Sequence, residues 1–371
     1  EGGILIGGGA AAITALGVAT NGQIPIGDGV TAPVLATLTA GNSIAVTNAA
    51  GSITLAGPLR PPGGRLTLTT ATPVMTANVA ASTSIFYALY LHDQISLYNG
   101  TSWVLTTFSE LTNTTTDATV NPAAVAADSN YDLFVWNDAG TIRLGRGPAW
   151  TDGTTRSAGT ALVRVNGIWL NNASITNGPA ASRGTYVGSV RSNGTSTIDW
   201  HTGGAAAGGT AATLYVWNAY NRVPVSVRVE ETTVSWTYTL NTWRAMQASN
   251  GNRVSVIRGL NEDVLRVHTM TIAIHSTVSA NVTTGLGLDS TSTPDIIGGF
   301  PSFVVPRPTS VGNVTDSIAV GATAWYAALP GLGFHFLQAI ERTSAATATF
   351  YSQQAFADTF GYVGLAAVVI M

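Results

Sequence analysis

The sequence contains no cysteine and no lysine, and only 9% of its 371 residues are charged. The absence of cysteine excludes disulfides and thiolate metal sites. All 16 basic residues are arginines that stand singly along the chain, and the formal net charge is −3. Nucleic-acid-binding proteins present clustered basic residues, so the composition argues against a nucleic-acid partner.

The scarcity of charge also bears on the surface of the protein. Typical soluble domains carry about 25% charged residues. Lysine and glutamate are abundant on monomer surfaces and depleted from the cores of interfaces. We therefore expect the chain to be covered in part by copies of itself or by other proteins. A secreted β-protein with a surface of Ser, Thr and Asn is the alternative that the composition leaves open.

No segment has the length and flanking charges of a signal peptide or a membrane span. The apolar tail over 364–371 is far shorter than the roughly 20 residues that a spanning helix needs, and it predicts a final buried strand. We expect no membrane insertion. The first residue is Glu1 rather than Met, which predicts a processed or incomplete chain that lacks an anchoring piece.

Residues that favour strands and turns dominate the chain, with 41 glycines and frequent Thr, Val, Ser and Asn. Residues 223–230 and 264–274 alternate apolar with polar side chains, and Asn99-Gly100 between two apolar runs predicts a hairpin. Residues 213–218 predict one aromatic strand, whereas 322–329 fit a helix or a strand. Together these patterns predict an all-β protein with antiparallel β-sandwiches of jelly-roll type.

The first 57 residues nearly repeat themselves. Ile4-Leu5-Ile6-Gly7-Gly8-Gly9 returns twenty residues later as Ile24-Pro25-Ile26-Gly27-Asp28-Gly29, and 43–55 predicts two short strands around a turn. A short fixed period is typical of stacked or fibrous elements. This segment is therefore predicted to form a repeat-like β shaft.

The Pro- and Gly-rich stretch over 58–64 marks the end of this shaft. The predicted organisation is a shaft over 1–57, a small β region over 58–112, a β-sandwich domain over 113–284 and a C-terminal β-rich domain over 285–371.

The segment Gly22-Gln23-Ile24-Pro25-Ile26-Gly27-Asp28-Gly29, with the runs over 32–41 and 52–55, resembles the repeats of tailed-bacteriophage tail fibres. The stretch over 95–103 is similar to a strand–turn–strand of phage fibre and spike proteins. The resemblance implies a homotrimer with a thin β-shaft between the virion and outer adhesive domains. It also implies assembly in the host cytoplasm, a position on the particle exterior, and contacts with other virion proteins and with a host-surface glycan or protein.

Catalytic patterns are weak. A glycan hydrolase needs two carboxyl groups about 5–10 Å apart, whereas Glu230-Glu231 and Glu262-Asp263 are sequence neighbours that a strand would point to opposite faces. Asp199-Trp200-His201 has no accompanying nucleophile, and His268 has no partner at metal-binding spacing. We expect no catalytic residue, no metal and no cofactor, and thus a protein that is not an enzyme.

Aromatic residues are the stronger candidates for receptor or partner contacts. Those beside turns or in the loop-rich C-terminal part are Trp150, Trp200, Trp243, Trp325, Tyr326 and Phe334. Irregular segments over 289–294, 301–308 and 330–333 favour adhesion on the C-terminal side. The predicted function is a structural virion appendage, a tail or head fibre or a decoration protein, that contributes to host attachment. A glycan-degrading trimeric spike and a purely structural capsid or tail component remain alternatives.

Overall fold

The computed structural model describes residues 5–6, 14–27, 29–30, 33–40, 44–275, 281–296, 299–300, 302–304, 308–309, 316–317, 320–344, 347–352 and 362–371. The chain divides into two compact units, Glu1–Arg60 and Pro61–Met371. The described residues form strands and turns, with two short 3-10 turns at Ala158–Thr160 and Met246–Ala248 and no α-helix. This part of the chain holds no helix of the length and apolarity that a membrane crossing requires. The all-β prediction is confirmed.

The first unit consists of antiparallel ribbons, each made of two consecutive strands. The strands are β1 Leu5–Ile6, β2 Thr14–Ala15, β3 Gln23–Ile26, β4 Val34–Thr37, β5 Ala45–Ala49 and β6 Ser52–Ala56. The two strands predicted over 43–55 are present as β5 and β6, and Gly51 adopts a positive φ of 70° in the turn between them. The first copy of the repeat, over 4–9, lies mostly outside the described residues.

The second unit begins with short strands and hairpins. Its strands up to residue 218 are β7 Gly64–Thr67, β8 Val79–Ser82, β9 Ser84–Leu89, β10 Gln94–Tyr98, β11 Trp103–Thr107, β12 Leu111–Thr114, β13 Asn130–Asp138, β14 Thr141–Arg146, β15 Leu162–Val165, β16 Ile168–Asn171, β17 Thr185–Arg191, β18 Ile198–His201, β19 Ala205–Ala206, β20 Ala212–Leu214 and β21 Val216–Asn218. The predicted Asn99-Gly100 hairpin is confirmed, because β10 and β11 pair across it.

The remaining strands are mostly antiparallel and include the two longest, Leu265–His275 and Gly333–Thr343, of 11 residues each. They are β22 Pro224–Glu231, β23 Ser235–Tyr238, β24 Arg244–Ala245, β25 Arg253–Arg258, β26 Leu265–His275, β27 Val282–Leu288, β28 Gly299–Phe300, β29 Ser302–Val304, β30 Pro308–Thr309, β31 Asp316–Ser317, β32 Val320–Ala328, β33 Gly333–Thr343, β34 Ala348–Tyr351 and β35 Gly364–Ile370. The segment over 322–329 is thus a strand, and the apolar tail is the strand β35. In the predicted loop over 301–308, residues 302–304 form β29 and residue 308 begins β30. Its other residues lie outside the described part of the chain.

Two sheets of eight strands organise the second unit. The first large sheet has the order β29-β27-β33-β25-β20-β18-β8, with β24 beside β33. The second large sheet has the order β19-β22-β35-β26-β32-β28, with β34 beside β26 and β23 beside β34. The second unit also contains smaller sheets of three strands (β12-β9-β7) and six strands (β14-β13-β17-β16-β15, with β21 on β17), and the two-stranded sheets β10-β11 and β30-β31.

The two large sheets contribute to one apolar core. Val256 and Leu337 of the first and Val267 and Leu365 of the second belong to the same buried cluster. Residue 284, where the predicted β-sandwich domain ends, lies within β27 of the first large sheet. In the same sheet, β33 from the C-terminal side of this residue pairs with β25 from its N-terminal side.

One strand prediction is wrong. Residues 213–218 do not form a single strand, because β20 pairs with β18 and β25 in the first large sheet whereas β21 pairs with β17 in the six-stranded sheet. Tyr215 lies at the change of sheet, where its N–H donates to Asp199 O and its carbonyl accepts from Arg191 N. Tertiary pairing therefore overrides the local pattern.

Candidate functional site

The outward face of the second large sheet carries a groove of about 780 Å³. Strands β22, β35, β26 and β32 form its floor and sides, and the segment before β26 closes one end. The lining residues are Ser226, Val227, Glu262, Asp263, Val264, Arg266, Val267, His268, Trp325, Ala366, Ala367, Val368 and Ile370.

Strand alternation decides which side chains face this groove. On β26, Leu265 and Val267 are buried, and Arg266 and His268 point outward. The register places His268 opposite both Trp325 and Ala366, and Ala366 opposite Arg228. The small side chain of Ala366 thus lies in the middle of a row that spans three strand spacings, about 14 Å.

Trp325 is the exposed aromatic group of the groove. Its side chain is 56% exposed and packs on the imidazole of His268, with the ring centroids 4.9 Å apart and the planes inclined by 30°. Cross-strand packing of this kind fixes the orientation of a ring on a rigid element. Trp325 therefore presents a flat apolar surface to solvent at a defined place.

The arginines around the groove differ in their partners. Arg222 binds Asp263 at 2.5 Å and Glu262 at 3.0 Å. Arg228 binds Glu230 at 2.9 Å. The side chain of Arg266 is exposed and makes no ion pair or hydrogen bond with any residue in the described part of the chain. The groove consequently holds one guanidinium whose charge no described carboxylate neutralises.

The carboxylates at the end of the groove are held by cations. Arg258, which is 1% exposed, donates to the Ile370 carbonyl at 2.6 Å and lies 3.8 Å from Asp263. Burial lowers the pKa of Arg258 to about 10, still well above neutrality. Asp263 therefore lies between two guanidinium groups, those of Arg222 and Arg258.

Three of the six aromatic residues predicted as contacts lie in the interior. Trp150 is 5% exposed, Trp200 is 2% exposed and Tyr326 is 1% exposed. Trp150 packs against the guanidinium of Arg156, 4.4 Å from the ring centroid, and burial raises the pKa of Tyr326 to about 12. Proximity to a turn in sequence did not place these rings on the surface, and they offer no face to a partner.

Two of the other three lie apart from the groove. Trp243 is half-buried beneath Arg342, and Phe334 is half-buried between Arg191 and Tyr215. Of the predicted aromatic contacts, only Trp325 lines the groove. Sequence reasoning missed Arg266 and set His268 aside, although the alternation over 264–274 already puts them on one face.

The acidic pairs considered for catalysis have structural partners. Glu231 is fully buried and accepts hydrogen bonds from Gly208 N, Thr233 N and Asn252 Nδ2, each at 2.8 Å. Its neighbour Glu230 points to the other face of β22. Asp199 accepts from Ala81 N at 2.8 Å.

No cluster of three or more His, Asp or Glu side chains suited to a metal ion occurs among the described residues. Comparisons of the chain with protein-family models, with curated proteins and with solved structures found no match. The likeness to tail fibres therefore stays a prediction that depends on the residues of this chain alone.

Proposed function

We propose that the protein is a structural virion appendage of a tailed phage, a fibre or decoration protein that contributes to attachment at the host surface. The observation that carries the proposal is the exposure of apolar side chains in the first unit. Val18 and Val30 are each 91% exposed, Leu5 is 68% exposed and Leu55 is 61% exposed. Isolated two-stranded ribbons are marginal in water, so these residues need a partner surface.

A homotrimer supplies that surface. Three copies of the first unit would cover the apolar residues of each other's ribbons, as a shaft does. The 9% charge content fits a chain that is partly covered in its assembled state. In the second unit, the shared core of the two large sheets supports the proposed antiparallel, jelly-roll-like β-sandwich.

A binding role rather than glycan cleavage is supported by the state of the four acidic residues. Glu231 accepts a hydrogen bond from the buried Asn252, and Asp263 forms an ion pair with Arg222. Glu230 and Glu262 each pair with an arginine. An open groove with an exposed indole suits recognition. We place the protein on the exterior of the particle after assembly in the host cytoplasm, in contact with other virion proteins.

Labelling of intact particles tests this proposal. Gold-conjugated antibodies raised against the full chain are expected to mark discrete positions on the outside of phage particles in negative-stain images. Fab fragments of the same antibodies are expected to reduce adsorption to host cells. Label that binds only disrupted particles, or none at all, would contradict an exterior position. Exterior label without any effect on adsorption would support the purely structural alternative.

A further inference from the structure

We propose that the groove on the second large sheet binds an acidic saccharide, with a sugar ring packed on Trp325 and its carboxylate paired with Arg266. This inference depends on the proposed function only for the origin of the glycan, a host surface. The chemistry itself follows from the side chains of the groove.

The first requirement of a sugar site is an open, fixed aromatic face. Pyranose rings have one face rich in C–H groups, and that face packs on an indole while the hydroxyls stay hydrated. Trp325 is 56% exposed, and its contact with His268 holds the ring on β32. An indole that is fixed before binding loses little side-chain entropy when the ligand arrives.

The second requirement is a reason for charge selectivity, and Arg266 supplies it. The other groove-side arginines, Arg222 and Arg228, are neutralised by carboxylates at 2.5–3.0 Å. Arg266 has no such partner among the described residues, and it lies on the same face of β26 as His268. A guanidinium binds a carboxylate through two parallel charge-assisted hydrogen bonds, whereas a neutral sugar offers no negative charge to pair with it.

The shape of the groove fits a chain of sugars better than a single small ion. Ala366 leaves a depression between Arg228 and His268, and Ser226 offers a hydroxyl on the same face. The row from Arg228 to Trp325 spans about 14 Å at the usual strand spacing. A volume of about 780 Å³ lies within the range of ligand sites and accepts several linked rings.

Two other occupants fit the groove less well. A nucleic acid would need several unpaired cations, whereas the groove offers one and the whole chain carries −3. A second copy of the chain would have to supply a carboxylate that pairs with Arg266. In the described part, the carboxylates around this groove, Glu230, Glu262 and Asp263, are already ion-paired.

The test compares two ligands that share one sugar backbone and differ in the charge of their carboxyl groups. A tetrasaccharide of galacturonic acid and its fully methyl-esterified form are titrated into the intact chain by calorimetry. The wild-type protein is expected to bind the acid about tenfold more tightly than the ester, because one charge-assisted contact is lost in the ester. This preference is expected to weaken as salt is raised.

Three variants separate the contributions. Arg266→Gln is expected to reduce the affinity for the acid to the level of the ester and to leave the affinity for the ester unchanged. Trp325→Ala is expected to lower the affinity for both ligands at least tenfold. Ala366→Leu is expected to lower the affinity for both, because the larger side chain fills the depression. Arg164→Gln is the control, because Arg164 on β15 is also exposed but lies over Trp169, away from the groove.

Several results would overturn the proposal. It fails if neither ligand binds, if Arg266→Gln weakens acid and ester equally, or if Arg164→Gln has the effect of Arg266→Gln. A change in oligomeric state on Trp325→Ala or Ala366→Leu would instead identify the groove as an interface between copies and would refute the saccharide site. None of these outcomes alters the particle-labelling result, so failure of this site is distinguishable from failure of the appendage proposal.

Discussion

Replacing Asp132 with alanine is expected to lower the free energy of unfolding by about 3–5 kcal/mol, because it leaves a buried cation without its partner. The Asp132 carboxylate is fully buried and accepts two hydrogen bonds from Arg156, at 2.8 and 3.0 Å. Ser189 Oγ donates to the same carboxylate at 2.6 Å. Arg156 itself is only 13% exposed at its side chain.

The surroundings of Arg156 make the loss severe. Its guanidinium packs between the rings of Trp150 and Tyr186, 4.4 and 5.7 Å from their centroids, and donates to the Gly259 carbonyl at 2.8 Å. Burial favours the neutral form of Arg156, but the charge of Asp132, the Tyr186 side chain and the hydrogen bonds to both together raise the pKa of Arg156 above its ordinary value. Without Asp132 the largest part of this compensation is absent.

Asp138 provides the control on the same strand. It pairs with Arg143 at 2.6 Å, but both side chains are about two-fifths exposed. Exposed pairs contribute about 0–1 kcal/mol, so Asp138→Ala is expected to change stability by no more than that. Urea unfolding at matched protein concentration measures both variants, since assembly would shift the midpoint. Equal losses for the two variants would contradict the role given to the buried pair.

The second large effect is a pH dependence from Glu341. This residue on β33 is fully buried, and burial raises the pKa of its carboxyl to about 7 although Arg244 lies 2.7 Å away. In the folded state, Glu341 therefore binds its proton between pH 4.5 and about 7, where the unfolded chain has released it. Stability from this group is complete below pH 4.5 and is lost as pH rises through about 7. The expected loss is about 3 kcal/mol.

Glu341→Gln isolates this contribution. The carbonyl of glutamine can accept from Arg244 and Gln247 N at the place of Oε1. The amide at the place of Oε2 cannot accept the hydrogen bond that Trp236 Nε1 donates there, but the cost of that loss is the same at every pH. The difference in unfolding free energy between wild type and Glu341→Gln is expected to fall by about 3 kcal/mol from pH 4.5 to pH 8.

Glu262→Gln is the matched control, because the side chain of Glu262 is 41% exposed. Its difference from wild type is expected to stay nearly constant over the same pH range. A constant difference for Glu341→Gln as well would show that Glu341 is ionised in the folded protein throughout and would contradict the effect of burial.

Local patterns predicted much of the strand content and less of the site. Alternation over 264–274 correctly places Arg266 and His268 on one face, because that period is a property of any half-buried strand. It says nothing about their neighbour across the sheet. Trp325 follows His268 by more than fifty residues, and only the register of β26 with β32 brings the two rings together.

The same limit explains the buried aromatic residues. Trp150 and Trp200 stand beside turns in sequence, yet Arg156 covers the first and the shared apolar core encloses the second. Tyr326 and Trp325 are adjacent and face opposite sides of β32, so one is buried and the other exposed. Which side faces the core depends on long-range packing that the local sequence pattern does not reveal.

The central claim is that the first unit is completed by other copies of the chain. Sedimentation equilibrium of the intact protein tests it most directly, because molar mass follows without any assumption about shape. We predict one species with three times the mass of the chain, stable on dilution to about 1 μM, as expected for an obligate apolar interface. A single species with the mass of one chain over the same concentrations would contradict the account.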